Sequence, residues 1–197
     1  MITHKEIIKK NILFMLTGSI ACFKACELIS QLVQKGFKVK TVASRSALQF
    51  IGPATLEGLT GEAVQVDNYE HGKMMNHIDL ARWADLILVC PATANSINSM
   101  ATGAGGDMIT DIFLSNNFQK PFWVTPAMNT QMLAHPATQE SIKKLKTWGT
   151  EILDTDAGNL ACGEQGSGRL LAPAIILEKI LQHFSNQSFE FKEGPTA

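Results

Sequence analysis

The feature that most constrains the fold of this chain is the alternation of short apolar runs with stretches of helical periodicity. Five runs rich in β-branched or aromatic residues predict strands, at residues 11–16, 37–43, 86–90, 121–125 and 151–153. Helical periodicity fills the intervals, at residues 21–35, 79–84, 96–116, 139–148 and 174–184. Because the apolar runs are continuous, both faces of each strand should be buried. The sequence therefore predicts an α/β fold, a three-layer sandwich in which helices cover a mostly parallel sheet.

Composition narrows the class of protein and of partner. Of the 197 residues, 45% are hydrophobic and 18% are charged, with 17 basic against 18 acidic side chains. This balance is typical of a soluble globular protein and argues against nucleic acid as a partner. The first ten residues are charged and the apolar run after them is short, so we expect a cytoplasmic protein without membrane contact. We expect one domain over residues 1–184 and a flexible tail or linker over residues 185–197.

One of the four cysteines differs from the others. Cys22, Cys26 and Cys90 lie in apolar periodic segments, as buried structural cysteines do. Cys22 and Cys26 have a spacing that a metal could use, but no second Cys or His pair lies near them in sequence, so we predict no metal. Cys162 instead stands in the glycine-rich segment LACGEQGSGR, residues 160–169. Three glycines within six residues of that segment predict a mobile flap that closes over a site.

In a parallel sheet, ligands collect at the carboxyl ends of the strands, and the loops there carry polar residues in this chain. The first strand turns through Gly18 and Ser19 directly into a helix, whose exposed amides attract a phosphate. A plain glycine turn capped by Ser19 explains the same residues equally well. Ser44 and Ser46 follow the second strand, either as hydroxyl donors beside that turn or as helix caps.

Two later loops have a similar character. The segment CPATANS, residues 90–96, combines small side chains, which leave space for a ligand, with the polar residues Thr93, Asn95 and Ser96. The segment TPAMN, residues 125–129, repeats the pattern of proline, alanine and a polar amide. His77 stands just before a predicted helix, where the helix N-terminus favours the neutral imidazole that serves as a base, although a histidine near a helix cap is more often structural.

Taken together, GSIA, HIDLA, PATAN, PAMN and ACGEQGSGR resemble, in order and spacing, the homo-oligomeric flavin-containing cysteine decarboxylases. The resemblance runs from residue 11 to about residue 181. It implies a flavodoxin-like or Rossmann-like fold, FMN held at a subunit interface, and a homotrimer that can assemble into a dodecamer. Within the family, ACGEQGSGR points to the carboxy-lyase branch that converts 4'-phosphopantothenoylcysteine to 4'-phosphopantetheine in coenzyme A biosynthesis.

The resemblance also implies roles for individual residues. His77 would assist the initial oxidation of the substrate as the active-site histidine, and Cys162 would donate the last proton as the flap cysteine. FMN would be bound by Gly18, Ser19, Ile20, Ser44, Ser46, Thr93, Ala94, Asn95, Ser96 and Ala127. Substrate would be bound by Asn129, which holds the substrate carboxylate, together with Met132, Ala161 and Gly163.

Two alternatives stay open beside this interpretation. Oxidative decarboxylases of lantibiotic precursor peptides resemble the chain but lack the cysteine-bearing segment. The family motif often continues as PxMNxxMW, whereas this chain reads PAMNTQML, with Leu133 in place of the aromatic residue, which weakens this alternative a little. A non-catalytic FMN-binding regulatory subunit of a phosphatase would carry a long acidic tail, which this sequence lacks. Bifunctional bacterial relatives continue into a CTP-dependent synthetase, so we expect a monofunctional enzyme or part of a longer protein.

Overall fold

A computed structural model describes residues 10–66, 75–116, 118, 120–159, 163 and 165–190. Five parallel strands form its main sheet: β1 (Asn11–Leu16), β2 (Lys38–Ala43), β3 (Leu86–Ala92), β4 (Phe122–Pro126) and β5 (Glu151–Ile152). Their order is β2-β1-β3-β4-β5, the arrangement of a flavodoxin-like doubly wound sheet. The predicted parallel α/β architecture is confirmed.

Helices cover both faces of this sheet, which makes the predicted three-layer sandwich. They are α1 (Cys22–Gln34), α2 (Pro53–Thr60), α3 (Asn76–Trp83), α4 (Ala94–Thr102), α5 (Met108–Ser115), α6 (Thr130–Ala134), α7 (Pro136–Thr147) and α8 (Pro173–Glu190). A 3-10 turn also spans Ala47–Gln49. Buried side chains of α1, α2 and α8 pack on one face, and those of α3, α4, α5 and α7 on the other. Within the described residues, no helix combines the length and apolarity needed to cross a membrane.

The central strand β1 shows why continuous apolar runs predicted this fold. Its residues 12–16 are all 0% exposed. Ile12 and Phe14 belong to the core on the α1 side, whereas Leu13 and Met15 belong to the core on the α4 side. Because successive side chains of a strand point to opposite faces, a strand covered on both faces needs apolar residues at every position.

The structure corrects the predicted helix over residues 96–116, which is two helices. Gly103 ends α4 in the left-handed conformation, with φ +71°. A capping box then begins α5: the Asp107 carboxylate accepts a hydrogen bond from the Thr110 amide at 2.8 Å, and the Thr110 hydroxyl accepts one from the Asp107 amide. The final helix also differs from prediction, since α8 continues to Glu190.

The glycine-rich segment is more regular than predicted. Residues 165–169 form β7 (Gln165–Arg169), which pairs with β6 (Asp156–Asn159) in an antiparallel hairpin. The hairpin is attached to the loop after β4, because the Met128 amide donates to the Gly168 carbonyl at 2.9 Å and the Thr130 hydroxyl donates to the Ser167 carbonyl at 2.8 Å. A Cβ at Gly168 would collide with the Met128 carbonyl, so β7 can approach the loop after β4 this closely only because residue 168 is glycine. The last five residues of the predicted flap are therefore a regular strand that is attached to the loop after β4.

Candidate cofactor and substrate site

The carboxyl ends of β1 and β3 form the switch point of the sheet. The two strands are neighbours, yet the chain leaves β1 toward β2 on one side and leaves β3 toward β4 on the other. The connections diverge and open a crevice, which is where ligands bind in this class of sheet.

Thr17, the first residue after β1, joins the two sides of this crevice. Its hydroxyl donates to the Pro91 carbonyl at 2.7 Å and accepts from the Thr93 amide at 2.9 Å. Its own amide donates to the same Pro91 carbonyl at 3.2 Å. The residue is 1% exposed, so these bonds are shielded from water. Sequence reasoning missed Thr17, although a polar residue directly after an apolar strand was a usable signal.

The turn after Thr17 brings the ends of β1 and β2 into contact. A Cβ at Gly18 would lie 2.6 Å from the Cβ and Oγ of Ser46, so only glycine fits there. The Ser19 hydroxyl accepts from the Ala21 amide at 3.2 Å, and the Ser44 hydroxyl accepts from the Ala47 amide at 3.1 Å. Both hydroxyls therefore bond to amides within their own turns, beside the candidate phosphate turn. Ser46 is the N-cap residue of the 3-10 turn but makes no side-chain cap bond. Phosphate binding by these serines stays a prediction.

A cavity of about 480 Å³ opens over these strand ends, within the size range of small-molecule sites. Seven predicted ligand-binding residues line it: Gly18, Ser19, Ile20, Thr93, Ala127, Asn129 and Met132. Asn129 begins α6, and its side-chain oxygen accepts from the Gln131 amide at 2.8 Å. Sequence reasoning did not propose the other lining residues, which are Ala21, Phe23, Lys24, Met128, Asn159, Gly168, Arg169 and Leu170.

Other predicted site residues do not line this cavity. Thr93 caps α4, which places Ala94 and Ser96 among the buried residues and leaves Asn95 exposed. Gly163 is exposed. Ser46 contacts the turn at Gly18 from the loop after β2, which also contains Ser44. Ala161 and Cys162 lie outside the described residues.

His77 also stands apart from the cavity of its own chain. It is the second residue of α3, and its Nδ1 atom is buried without a hydrogen-bond partner in the described part of the chain. The neighbouring Asn76 amide donates to the Gln65 side chain at 2.7 Å, which ties the start of α3 to the β2 edge of the sheet. Within the described residues, the fold therefore does not bring His77 together with the residues that line the cavity.

The cavity lining combines apolar and cationic side chains. Phe23, Ile20 and Met132 are 62%, 55% and 48% exposed, respectively, which is high for large apolar residues. Such a group around a cavity marks a surface that a ligand or another chain covers. Lys24 and Arg169 add positive charge. The cavity is therefore suited to a ligand with a flat apolar part and anionic groups.

The thiols below the site have structural environments. The Cys22 thiol donates to the Thr17 carbonyl at 3.3 Å, and burial raises its pKa. Burial also raises the pKa of Cys90, in the middle of the sheet, to about 12. Both groups stay neutral at physiological pH and serve as small core residues.

Comparisons with known proteins agree with this architecture. The family model described as Flavoprotein matches residues 1–185. The coenzyme A biosynthesis bifunctional protein CoaBC of Bacillus subtilis strain 168 is 40% identical over 187 residues, which cover 94% of this chain and 46% of that protein. The probable phosphopantothenoylcysteine decarboxylase of Streptococcus mutans serotype c is 38% identical over 173 residues, which cover 87% of this chain and 97% of that protein. The chain thus spans about half the length of the bifunctional relatives.

Two solved structures share the fold. A cysteine-to-serine mutant of a PPC decarboxylase, complexed with pantothenoylaminoethenethiol, has a TM-score of 0.81 and 27% identity, covering 90% of this chain and 99% of that one. The FMN binding protein AtHal3 has a TM-score of 0.77 and 27% identity, covering 90% and 97%. With the family model spanning nearly the whole sequence and a full-length relative above 30% identity, the chain belongs to the Flavoprotein family.

Proposed function

We propose that this chain binds FMN and decarboxylates 4'-phosphopantothenoylcysteine to 4'-phosphopantetheine. The observation that carries the proposal is the cavity at the switch point, where loops from β1, β3 and β4 converge. The Streptococcus mutans relative, named as a probable phosphopantothenoylcysteine decarboxylase, supports the choice of reaction. The bifunctional relatives are about twice as long, so the proposal concerns the decarboxylation alone.

The residues present fit FMN. The turn at Gly18 and Ser19 leads into α1 and offers backbone amides to the phosphate. The close approach of that turn to Ser46 brings the hydroxyls of Ser44 and Ser46 to the same end. Thr93 and Ala127 line the cavity from the ends of β3 and β4, where small side chains leave room for the flavin ring. The AtHal3 structure, named as an FMN binding protein, supports this assignment.

In this reaction, bound FMN would supply the electron sink that a cysteine carboxylate lacks. Asn129 would hold the substrate carboxylate through its amide group. The hydrogen bond from the Gln131 amide to its side-chain oxygen fixes that group at the cavity wall. Met132, in the short α6, lines the cavity and would cover the apolar part of the substrate. Ala161 and Gly163 stay predicted substrate contacts.

Two residues would handle protons. His77 would accept the proton released when the substrate is oxidised, and Cys162 would donate the proton that completes the saturated thiol. The solved cysteine-to-serine mutant of a PPC decarboxylase, complexed with an aminoethenethiol, supports a late step for a cysteine of this family. Since His77 does not line the cavity of its own chain, it would act on FMN held mainly by a neighbour, in a homotrimer or a dodecamer.

The cytoplasmic location also stays a prediction.

The experiment that tests the proposal compares two substrates. FMN-loaded protein is incubated with 4'-phosphopantothenoylcysteine and, separately, with a peptide ending in cysteine, and the products are weighed by mass spectrometry. We expect 4'-phosphopantetheine from the first and no reaction with the second. An enethiol formed from the peptide would instead assign the chain to the peptide decarboxylases. A folded protein that takes up no FMN would refute the proposal altogether.

A further inference from the structure

Two basic side chains line the cavity. Lys24 reaches it from α1 and Arg169 from β7. No aspartate or glutamate lines the same cavity in the part of the chain that the structure describes. Across that part, the side chain of neither Lys24 nor Arg169 forms a hydrogen bond or an ion pair. The whole chain has a formal net charge of −1, so this positive charge is a local feature of the cavity.

The position of Arg169 is determined by the hairpin. Its guanidinium group packs against Gly158 on β6, so closely that a Cβ at Gly158 would collide with it. Asp156 is the register partner of Arg169, but its carboxylate accepts from the Ala157 amide at 2.9 Å and does not pair with the arginine. The hairpin thus holds the partly buried Arg169 at the cavity wall, and no described carboxylate neutralises its charge. A bound anion would offset the free-energy cost of partly burying an unpaired positive charge.

Three anionic groups must be accommodated if the proposed function is correct. The FMN phosphate fits the amides after β1, and the substrate carboxylate fits the Asn129 amide. The phosphate of the substrate is then the group without a partner. A phosphate monoester carries nearly two negative charges at neutral pH, and the planar guanidinium of arginine binds its oxygens in pairs.

We propose that Arg169 and Lys24 form a subsite for the phosphate monoester of the substrate, an inference that rests on the proposed function. The subsite makes the enzyme selective for phosphorylated over unphosphorylated cysteine conjugates. Arg169 supplies directional hydrogen bonds from a fixed position on the hairpin, and Lys24 supplies a second positive charge from α1.

Calorimetry on the FMN-loaded protein tests the subsite without turnover. The probes are 4'-phosphopantetheine and pantetheine, which differ only in the phosphate. We expect Arg169→Gln to weaken binding of the phosphorylated compound by about tenfold or more and to leave pantetheine binding unchanged. Lys24→Gln should likewise weaken binding of 4'-phosphopantetheine and leave pantetheine binding unchanged. Arg169→Lys should recover part of the affinity, since it restores the charge but not the paired hydrogen bonds. Lys143→Gln, on the α7 surface outside the cavity, is the control that removes one positive charge elsewhere.

Steady-state kinetics provide the second readout. The selectivity of wild-type protein, measured as kcat/KM for phosphorylated over unphosphorylated substrate, should fall about tenfold in Arg169→Gln. Equal losses with both substrates would overturn the subsite. So would weaker binding of FMN with unchanged binding of riboflavin, because the arginine would then hold the cofactor phosphate. A wild-type protein that prefers 4'-phosphopantetheine but decarboxylates neither substrate would refute the proposed function and leave the subsite standing.

Discussion

The hydroxyl oxygen of Thr17 lies 2.9 Å from the amide nitrogen of Thr93, so one buried side chain joins the loops that follow the two central strands. The same hydroxyl donates to the Pro91 carbonyl at 2.7 Å. Because these loops carry the proposed phosphate turn and the proposed flavin wall, Thr17 holds both halves of the cavity in register without lining it.

Replacing Thr17 should therefore separate the two loops. Thr17→Val keeps the shape of the side chain but leaves the Pro91 carbonyl and the Thr93 amide without this partner. We expect a loss of about 1–3 kcal/mol in the free energy of unfolding and weaker FMN binding. Thr17→Ser keeps the hydroxyl and should stay close to wild type in both. Urea unfolding and flavin fluorescence titration measure the two effects, and a Thr17→Val protein that matches Thr17→Ser would show that the bond is not needed.

Gly18→Ala should abolish FMN binding by steric conflict. The new Cβ would lie 2.6 Å from the Ser46 side chain and push the β1 and β2 loops apart. Adding Ser46→Gly removes the colliding atoms, so the double variant should regain part of the FMN affinity. Gly58→Ala is the matched control, because nothing lies within 4 Å of a Cβ at that exposed helical position, and it should gain about 0.5–1 kcal/mol. If the double variant binds FMN no better than Gly18→Ala, the contact is not the cause.

Cys162 and His77 should fail at different stages of the proposed reaction. Cys162→Ser should still oxidise and decarboxylate the substrate but stall before the final protonation, yielding an enethiol about 2 Da lighter than 4'-phosphopantetheine. His77→Asn should stop before carbon dioxide is lost, with the rate reduced by roughly a hundredfold or more. Product masses and carbon dioxide release distinguish these results. Normal turnover by Cys162→Ser would make that thiol structural and favour the peptide-decarboxylase alternative.

Mixing subunits tests whether His77 acts across an interface. His77→Asn subunits keep the FMN cavity, whereas Gly18→Ala subunits keep the histidine. Each variant alone should be inactive, but hybrids refolded from a mixture should regain activity, because one chain then provides FMN and its neighbour provides His77. Light scattering should show trimers or multiples of them. Hybrids that form trimers but stay inactive would show that one chain must provide both the FMN cavity and His77.

The free energy of unfolding should decrease in alkaline solution because of the buried thiols. Burial raises the pKa of Cys90 from its ordinary value of 9.0 to about 12. The folded state therefore binds this proton more tightly than the unfolded state, and the contribution is complete below about pH 9 and lost as the pH rises toward 12. Cys26, with a pKa raised to about 11, contributes in the same window. Urea unfolding from about pH 8 to pH 11 should show a shallower decline for Cys90→Ala than for wild type, and parallel curves would refute this assignment.

The hydrophobic pattern was enough to predict the layers of this protein. Strands such as β1 and β3 are buried on both faces, and that burial requires apolar residues at every position, a property visible over five to seven consecutive residues. The loops at the strand ends could be found for a similar reason, since small or polar residues such as Gly18, Ser44 and Thr93 follow the apolar runs. The break between α4 and α5 was missed even though Gly103 and Asp107 are in the sequence, because helical periodicity continues on both sides of them.

Residues close together in the chain were thus enough to identify the buried segments and the loops that could bind a ligand. Which distant residues contact each other depends instead on how the elements pack. Thr17 contacts Thr93 because β1 and β3 are adjacent, and Arg169 reaches the cavity because the hairpin attaches to the loop after β4. His77 lies outside its own cavity because α3 begins at the β2 edge. Such contacts follow from strand order and packing between distant segments, which no local pattern encodes.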